Sequence, residues 1–200
     1  MPIIKITTLP SGSMLGLWRI SETIDDLLRL YPSLSSLYMS VRQLGSKSRI
    51  VEKMCVQALL VEMTGKQDIS ISHNSDGRPF LEGWYISISH SKGFASVILS
   101  NENEVAIDIE YISDRVSKIA NRFIRKDEQC MSLIQQLITW CVKETIYKYY
   151  SSQHLGFFDM RLHDICSSSF GTVCVDNLKT QSVVDVNYVV SSDYVLTYID

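Results

Sequence analysis

The sequence has no closely spaced cysteine pair, no long apolar run and no excess of basic residues. Its five cysteines are Cys55, Cys130, Cys141, Cys166 and Cys174. They include no C-x-x-C pair and have no histidine at metal-ligand spacing, which indicates reduced thiols in a reducing compartment. No stretch approaches the roughly 20 apolar residues that span a membrane, and the N-terminal segment has no apolar leader. We therefore expect a cytoplasmic protein that does not enter the membrane.

The charge balance gives no sign of a nucleic-acid partner. The formal net charge is −3, whereas a nucleic-acid-binding domain is typically basic on one face. The chain has 200 residues, of which 46% are hydrophobic and 20% are charged. These values are typical of a globular protein with one domain or two small subdomains.

Three stretches have the periodicity of helices. A short helix is expected from Ser21 to Leu30, since serine and the acids after it suit a helix start. A long helix is expected from about Ser46 to Met63, with Gly65 as its stop. The segment LIQQLITWCVKETIYKYY predicts a second long helix.

The pentapeptide ISISH occurs twice, ending at His73 and at His90. The alternation in DISIS and YISIS predicts two consecutive strands of one sheet, joined by the turn NSDGRP. Neither histidine has a spaced partner for zinc, and no G-x-S-x-G motif indicates a hydrolase. His90 differs from His73 because one strand separates it from a pair of carboxylates, which an antiparallel arrangement would bring near.

Further strands follow the second ISISH segment. FASVILS and EVAIDIE are separated by residues 101–103, which predict a hairpin turn. The segments GTVCV, SVVDVNYVV and DYVLTYI predict a closing antiparallel set. The order of helices and strands indicates a mixed fold with a weak two-fold rhythm, whose joint lies near Ser100 to Glu104.

The strand EVAIDIE places Asp108 and Glu110 on one face, while Ile107 and Ile109 point to the other. Two carboxylates about 7 Å apart along a strand repel each other unless a cation compensates them. Such oxygen ligands suit Mg²⁺, whose remaining positions are filled by phosphate and water. The alternative interpretation, without a metal, is a solvent-exposed polar face at the end of a half-buried strand.

The helix segment WCVKETIYK has two sides. Ile138, Val142, Ile146 and Tyr149 fall on the expected buried side. The other side carries Trp140, Lys143, Glu144, Tyr147 and Lys148. This second side is either a solvated face with a Glu144–Lys148 ion pair or a face that meets a phosphate-bearing ligand.

Five motifs in this order resemble the 4′-phosphopantetheinyl transferase superfamily. They are GRP at 77–79, SISHS at 87–91, AIDIE at 106–110, RFIRKDE at 122–128 and WCVKETIYK at 140–148. The length is similar to that of the longer, monomeric type, which activates peptide, polyketide and fatty-acid synthases. The resemblance implies an α+β fold of two similar α/β subdomains with pseudo-two-fold symmetry, each a small antiparallel sheet packed on a long helix. Their expected bounds are 1–103 and 104–200.

The resemblance also implies an activity, that of a holo-[acyl-carrier-protein] synthase. Such an enzyme moves the phosphopantetheine arm of coenzyme A onto a serine of an apo acyl or peptidyl carrier protein. By analogy, Asp108, Glu110 and Glu144 would hold Mg²⁺ on the pyrophosphate, with Glu144, or a water that it orients, as candidate base. Lys148 would steady the leaving phosphate.

The resemblance assigns further residues to coenzyme A. Lys143 would contact the pyrophosphate region, and Ser89 and His90 would bind phosphates. Arg49 and Arg78 would line the nucleotide end, so the first subdomain would bind the nucleotide and the second the metal. Trp140 would support the site.

The chain departs from the family pattern at three places. Gln57 stands where an arginine is usual, Arg78 stands where lysine is commoner, and the glycine-rich turn expected after Lys148 is missing. Two other functions stay open: a noncatalytic module that binds coenzyme A or a carrier protein, and a metal-dependent nuclease. The nuclease is disfavoured because no E-x-K follows on the acidic strand and no basic excess is present.

Overall fold

The computed structural model describes residues 2–74, 77–129, 132–166 and 168–200. The chain forms two compact units, Met1–Asn103 and Glu104–Asp200. Ser75 and Asp76 of the predicted turn, and the thiol of Cys130, lie outside the described residues. Each unit packs helices on an antiparallel sheet, which confirms the predicted α+β class. Within the described part, no helix is long and apolar enough to cross a bilayer.

The first unit is a four-stranded sheet with one long helix. Its elements are β1 (Ile3–Thr8), β2 (Met14–Arg19), α1 (Ile24–Leu30), α2 (Ser35–Val41), α3 (Lys47–Thr64), β3 (Ser72–His73), β4 (Pro79–Phe80), β5 (Tyr85–Ser91) and β6 (Phe94–Ser100). The sheet order is β1-β2-β6-β5. As predicted, α3 is capped by Ser46 and ends at Gly65, whose φ of 70° suits a glycine.

The second unit is a five-stranded sheet with the other long helix. Its elements are β7 (Ala106–Tyr111), α4 (Leu133–Tyr149), β8 (Met160–Leu162), β9 (Phe170–Asn177), β10 (Ser182–Val190) and β11 (Tyr194–Ile199). The sheet order is β7-β11-β10-β9-β8. Ser132 and Gln135 form a capping box that starts α4. The core of this unit lies between α4 and the sheet and includes Phe123, Cys141 and Tyr188.

Two strand pairings predicted from the sequence are wrong. DISIS does not join the sheet of YISIS, because β3 pairs with β4 in a separate two-stranded ribbon. The chain before β3 is tied to α3 instead, where the Gln57 amide donates to the Ile69 carbonyl oxygen. FASVILS and EVAIDIE form no hairpin either: β6 lies between β2 and β5, while β7 pairs with β11 in the second unit.

The start of the first helix also differs from the prediction. The N-cap of α1 is Thr23 rather than Ser21, because Thr23 and Asp26 satisfy each other's backbone N–H groups in a capping box. Ser21 lies outside the helix, where its hydroxyl donates to the Glu22 carboxylate.

Candidate functional site

The second unit holds the two carboxylates of the DxE strand. Asp108 lies opposite Thr197 and Glu110 opposite Val195 in the pairing of β7 with β11. Asp108 is only 6% exposed, so the interpretation of this strand as a solvated polar edge is wrong. A buried carboxylate needs compensating groups, because leaving it without them would cost several kcal/mol.

Lys148 on α4 supplies the charge next to Asp108. Its ammonium donates to Oδ1 of Asp108 at 2.8 Å and to the carbonyl oxygen of Ile107 at 2.8 Å. Thr145, one turn earlier on α4, has its hydroxyl 2.6 Å from that of Thr197. These contacts hold α4 against β7 and β11.

Glu144 lies in the same electrostatic environment. Its carboxyl pKa is raised to about 7, chiefly by burial and then by the negative charge of Asp108, while Lys148 lowers it and Glu110 adds a smaller increase. The three predicted metal-binding carboxylates are therefore close enough to influence one another. A carboxyl group that titrates near neutrality can exchange a proton under working conditions.

The donor chemistry of this set fits a magnesium ion. Asp108, Glu110 and Glu144 offer only carboxylate oxygens, which are the ligands of a hard divalent cation. Within residues 2–74, 77–129, 132–166 and 168–200, no three His, Cys, Asp or Glu side chains are gathered as a metal-binding group. Here Asp108 is held by the Lys148 ammonium instead.

The helix wheel predicted that Lys143 lies on an exposed face of α4, and this prediction is wrong. The Lys143 side chain is 0% exposed, and its ammonium lies 2.8 Å from Oε1 of Glu128. It also donates to the carbonyl oxygens of Phe123 at 2.7 Å and Phe157 at 3.1 Å. An ammonium enclosed in this way is not presented to a ligand. We therefore do not retain Lys143 as a contact to the pyrophosphate.

The buried Lys143–Glu128 pair connects α4 with the RFIRKDE segment and with β8. Besides binding Lys143, Glu128 accepts hydrogen bonds from the backbone N–H groups of Arg125 at 2.8 Å and Leu162 at 2.9 Å. Both oxygens of the Glu128 carboxylate therefore accept hydrogen bonds inside the protein, as a buried charge requires. The pair holds the RFIRKDE segment on the helix that carries Glu144.

Trp140 packs beside this buried pair. Its ring lies 5.1 Å from that of Phe123 and 5.3 Å from that of Phe157, measured between centroids. The carbonyl oxygens of the same two phenylalanines accept from Lys143. Trp140 therefore stabilises the surroundings of the helix by packing.

The first unit contains a cavity of about 890 Å³. Helix α3 lines one side with Arg49, Glu52, Lys53, Val56 and Gln57. Other walls include Asp68 and Ile69 after α3, His73 and Pro79 of the β3–β4 ribbon, and Ile88 and His90 of β5. The volume is in the range of small-molecule and cofactor sites.

The cavity brings together only part of the nucleotide-binding set predicted from the sequence. Arg49 and His90 both line it. Ser89 is not among the lining residues: its side chain is buried, and its carbonyl oxygen accepts from the Ser96 hydroxyl. Arg78 is also outside the lining residues, although its neighbour Pro79 belongs to them.

Sequence reasoning assigned no ligand role to Glu52. The signal was present, because Arg49, Glu52 and Lys53 stand at i, i+3 and i+4 and so share one helix face. Gln57 occupies the place of the expected arginine and lines the cavity too, but its amide is engaged with the Ile69 carbonyl oxygen.

Comparison with known proteins bears on the second unit. Residues 104–199 match the family model described as the 4′-phosphopantetheinyl transferase superfamily. A search of curated proteins gave no match to the chain. The matched residues include Asp108, Glu110, Glu144 and Lys148. The resemblance seen in the motifs is thereby confirmed: the second unit of this chain is a domain of the 4′-phosphopantetheinyl transferase superfamily.

Proposed function

We propose that the protein is a Mg²⁺-dependent 4′-phosphopantetheinyl transferase. It would transfer the phosphopantetheine arm of coenzyme A to a serine hydroxyl of an apo acyl or peptidyl carrier protein and release adenosine 3′,5′-bisphosphate. The observation that carries this proposal is the convergence of Asp108, Glu144 and Lys148 from β7 and α4 within the domain that matches the superfamily.

Each side chain of this set has a chemical role in the proposed reaction. Asp108, Glu110 and Glu144 would hold Mg²⁺, which when bound neutralises negative charge on the pyrophosphate. In its ionised form Glu144 would accept the proton of the serine hydroxyl, directly or through a water. Lys148 would donate from its ammonium to the leaving phosphate.

The first unit would supply the nucleotide contacts. Its cavity combines the cations Arg49 and Lys53 with the imidazole of His90 and the apolar side chains of Val56 and Ile88. Cations suit phosphate groups, and apolar walls suit a base. We place the adenosine end of coenzyme A here, and Ser89 and Arg78 would act on it through their chain neighbours His90 and Pro79, which line the cavity.

We further propose that the two units derive from one duplicated fold with pseudo-two-fold symmetry, in a monomeric cytoplasmic enzyme. The duplication is supported by a path common to both units: a strand, a long helix, and a hairpin whose last strand pairs antiparallel with the first. In the first unit these are β2, α3, β5 and β6. In the second they are β7, α4, β10 and β11.

The test is a transfer assay with several apo carrier proteins, coenzyme A and Mg²⁺. Intact-mass spectrometry of the carrier protein should show a gain equal to the phosphopantetheine arm, and a carrier protein whose acceptor serine is replaced by alanine should show none. Binding of coenzyme A without any gain would identify a noncatalytic module. Degradation of nucleic acid with Mg²⁺ would identify a nuclease.

A further inference from the structure

A carboxylate lies against His90 inside the cavity of the first unit. Oε2 of Glu52 is 3.5 Å from Nδ1 of His90, and the two side chains are 22% and 53% exposed, respectively. Glu52 is the acidic member of the α3 face, between the cations Arg49 and Lys53. An acid would weaken a phosphate site by repulsion unless its charge served a neighbouring group.

The neighbouring group that the Glu52 charge can serve is the imidazole of His90. The two ring nitrogens of a histidine lie on opposite sides of the imidazole, and the bond made by one determines the protonation of the other. A carboxylate beside Nδ1 favours a proton there. It also stabilises the imidazolium, in which Nε2 carries a second proton and can donate to an anion. Nε2 of His90 would then be the donor to a bound anion.

We propose that Glu52 is a positioning residue for His90: it holds the Nδ1 proton so that Nε2 donates to a phosphate of the bound nucleotide. This inference rests on the proposed function, which places adenosine phosphates in the same cavity. It adds a residue that fixes which nitrogen of the His90 ring is directed to that phosphate.

The groups that face His90 determine how the effect depends on pH. The charged and titratable residues of the cavity are Arg49, Glu52 and Lys53 from α3, Asp68 from the segment after α3, His73 from β3 and His90 from β5. Between pH 5.5 and 8, arginine and lysine stay cationic and carboxylates of ordinary pKa stay anionic, so the histidines account for the change. A His73→Asn background removes the contribution of the second histidine.

The experiment measures binding of adenosine 3′,5′-bisphosphate by calorimetry at pH 8 and pH 5.5 in the full-length protein and its variants. We expect Glu52→Gln to weaken binding roughly 5-fold to 20-fold at pH 8, the range for a hydrogen bond to a charged group. At pH 5.5 the loss should fall to about 2-fold, because acid pH favours the imidazolium form of any histidine. Glu52→Gln should have no effect in the His90→Ala background. A thermal unfolding experiment on each variant checks that it is folded.

Several results would overturn the inference. Binding by Glu52→Gln at pH 8 as tight as that of the unmodified protein, or tighter, would mean that the carboxylate only repels the ligand. A loss that is equal at both pH values and persists in the His90→Ala background would mean that Glu52 is structural. If the unmodified protein binds no nucleotide at either pH, the proposed role of the cavity fails, and the inference fails with it.

Discussion

The ammonium of Lys148 lies 2.8 Å from the carboxylate of Asp108, whose side chain is almost wholly buried. The pair joins the middle of β7 to the last turn of α4, and the Ile107 carbonyl oxygen accepts from the same ammonium. Lys148 therefore competes with any other cation for Asp108, and in the proposed reaction its ammonium would donate to the leaving phosphate.

Replacement of Lys148 should separate metal binding from transfer. In Lys148→Met we expect Mg²⁺ to bind about tenfold more tightly, because a competing positive charge has been removed. Phosphopantetheine transfer should fall at least about 100-fold, because the leaving phosphate loses its donor. Calorimetry with Mg²⁺ and the mass-based transfer assay measure the two effects.

The matched control for this variant is Lys118→Met. Lys118 is 70% exposed in its side chain and pairs with Asp114 on the surface, so both measurements should stay unchanged. Weaker Mg²⁺ binding in Lys148→Met would show that the lysine supports the metal rather than competing with it.

The raised pKa of Glu144 predicts a dependence of stability on pH. In the unfolded chain this carboxyl titrates near 4.5, and in the folded protein it titrates near 7. The folded state therefore binds the proton more tightly, and the protein loses stability as pH rises from about 4.5 to 7. The measured quantity is the free energy of unfolding of Glu144→Gln minus that of the unmodified protein, in metal-free buffer. This difference should be more favourable to the variant at pH 8 than at pH 4, by up to about 3 kcal/mol.

Urea unfolding of both proteins across this pH range measures the effect. Glu102→Gln is the control, since Glu102 is exposed in the loop after β6. An equal difference between Glu144→Gln and the unmodified protein at pH 4 and pH 8 would show that Glu144 has an ordinary pKa.

The buried Lys143–Glu128 pair should be a large contributor to the stability of the second unit. Lys143→Met should cost about 3–5 kcal/mol, since it leaves the Glu128 carboxylate buried without its cation. Glu128→Gln should also destabilise the protein, while the double variant should cost less than the sum of the two. A double-mutant cycle by urea unfolding measures this coupling.

The surface pair Asp114–Lys118 is the comparison for that cycle. Both side chains are at least 70% exposed, so their coupling should stay below about 1 kcal/mol. Similar coupling energies for the buried and exposed pairs would contradict the role assigned to Lys143.

The two histidines of the repeated pentapeptide should differ in ligand binding. His90→Ala should weaken coenzyme A binding at least about 10-fold, because a phosphate donor on the four-stranded sheet is lost. His73→Ala should change it less than about 2-fold, because His73 lies on the short β3–β4 ribbon and not on the four-stranded sheet. Calorimetry with coenzyme A tests both, and equal losses would show that the shared cavity uses both rings.

Local patterns predicted much of the fold. Ser46 and Gly65 bounded α3 correctly because capping and the left-handed stop are properties of short segments. The alternating segments β5, β6, β7, β9, β10 and β11 were also predicted as strands. Their partners could not be, since pairing depends on contacts distant in sequence. FASVILS and EVAIDIE are neighbours in the chain, yet they belong to different sheets.

The candidate site was predicted in the same partial way. Lys148 contacts Asp108, and the charges of both act on Glu144, while the roles that the motifs imply for these residues stay predictions. Lys143 was misplaced because a helix wheel treats every charge as solvated, whereas Glu128 and two carbonyl oxygens provide a buried partner set. Glu52 was passed over because its contact with His90 joins α3 to β5, and only the folded chain brings them together.

The transfer assay with Glu144→Gln and Asp108→Asn tests the central claim most directly. The unmodified protein with coenzyme A and Mg²⁺ should add the phosphopantetheine arm to an apo carrier protein, and each variant should do so at least about 100-fold more slowly. Transfer by both variants at the unmodified rate would contradict the account, because the reaction would then not depend on the carboxylates that β7 and α4 bring together.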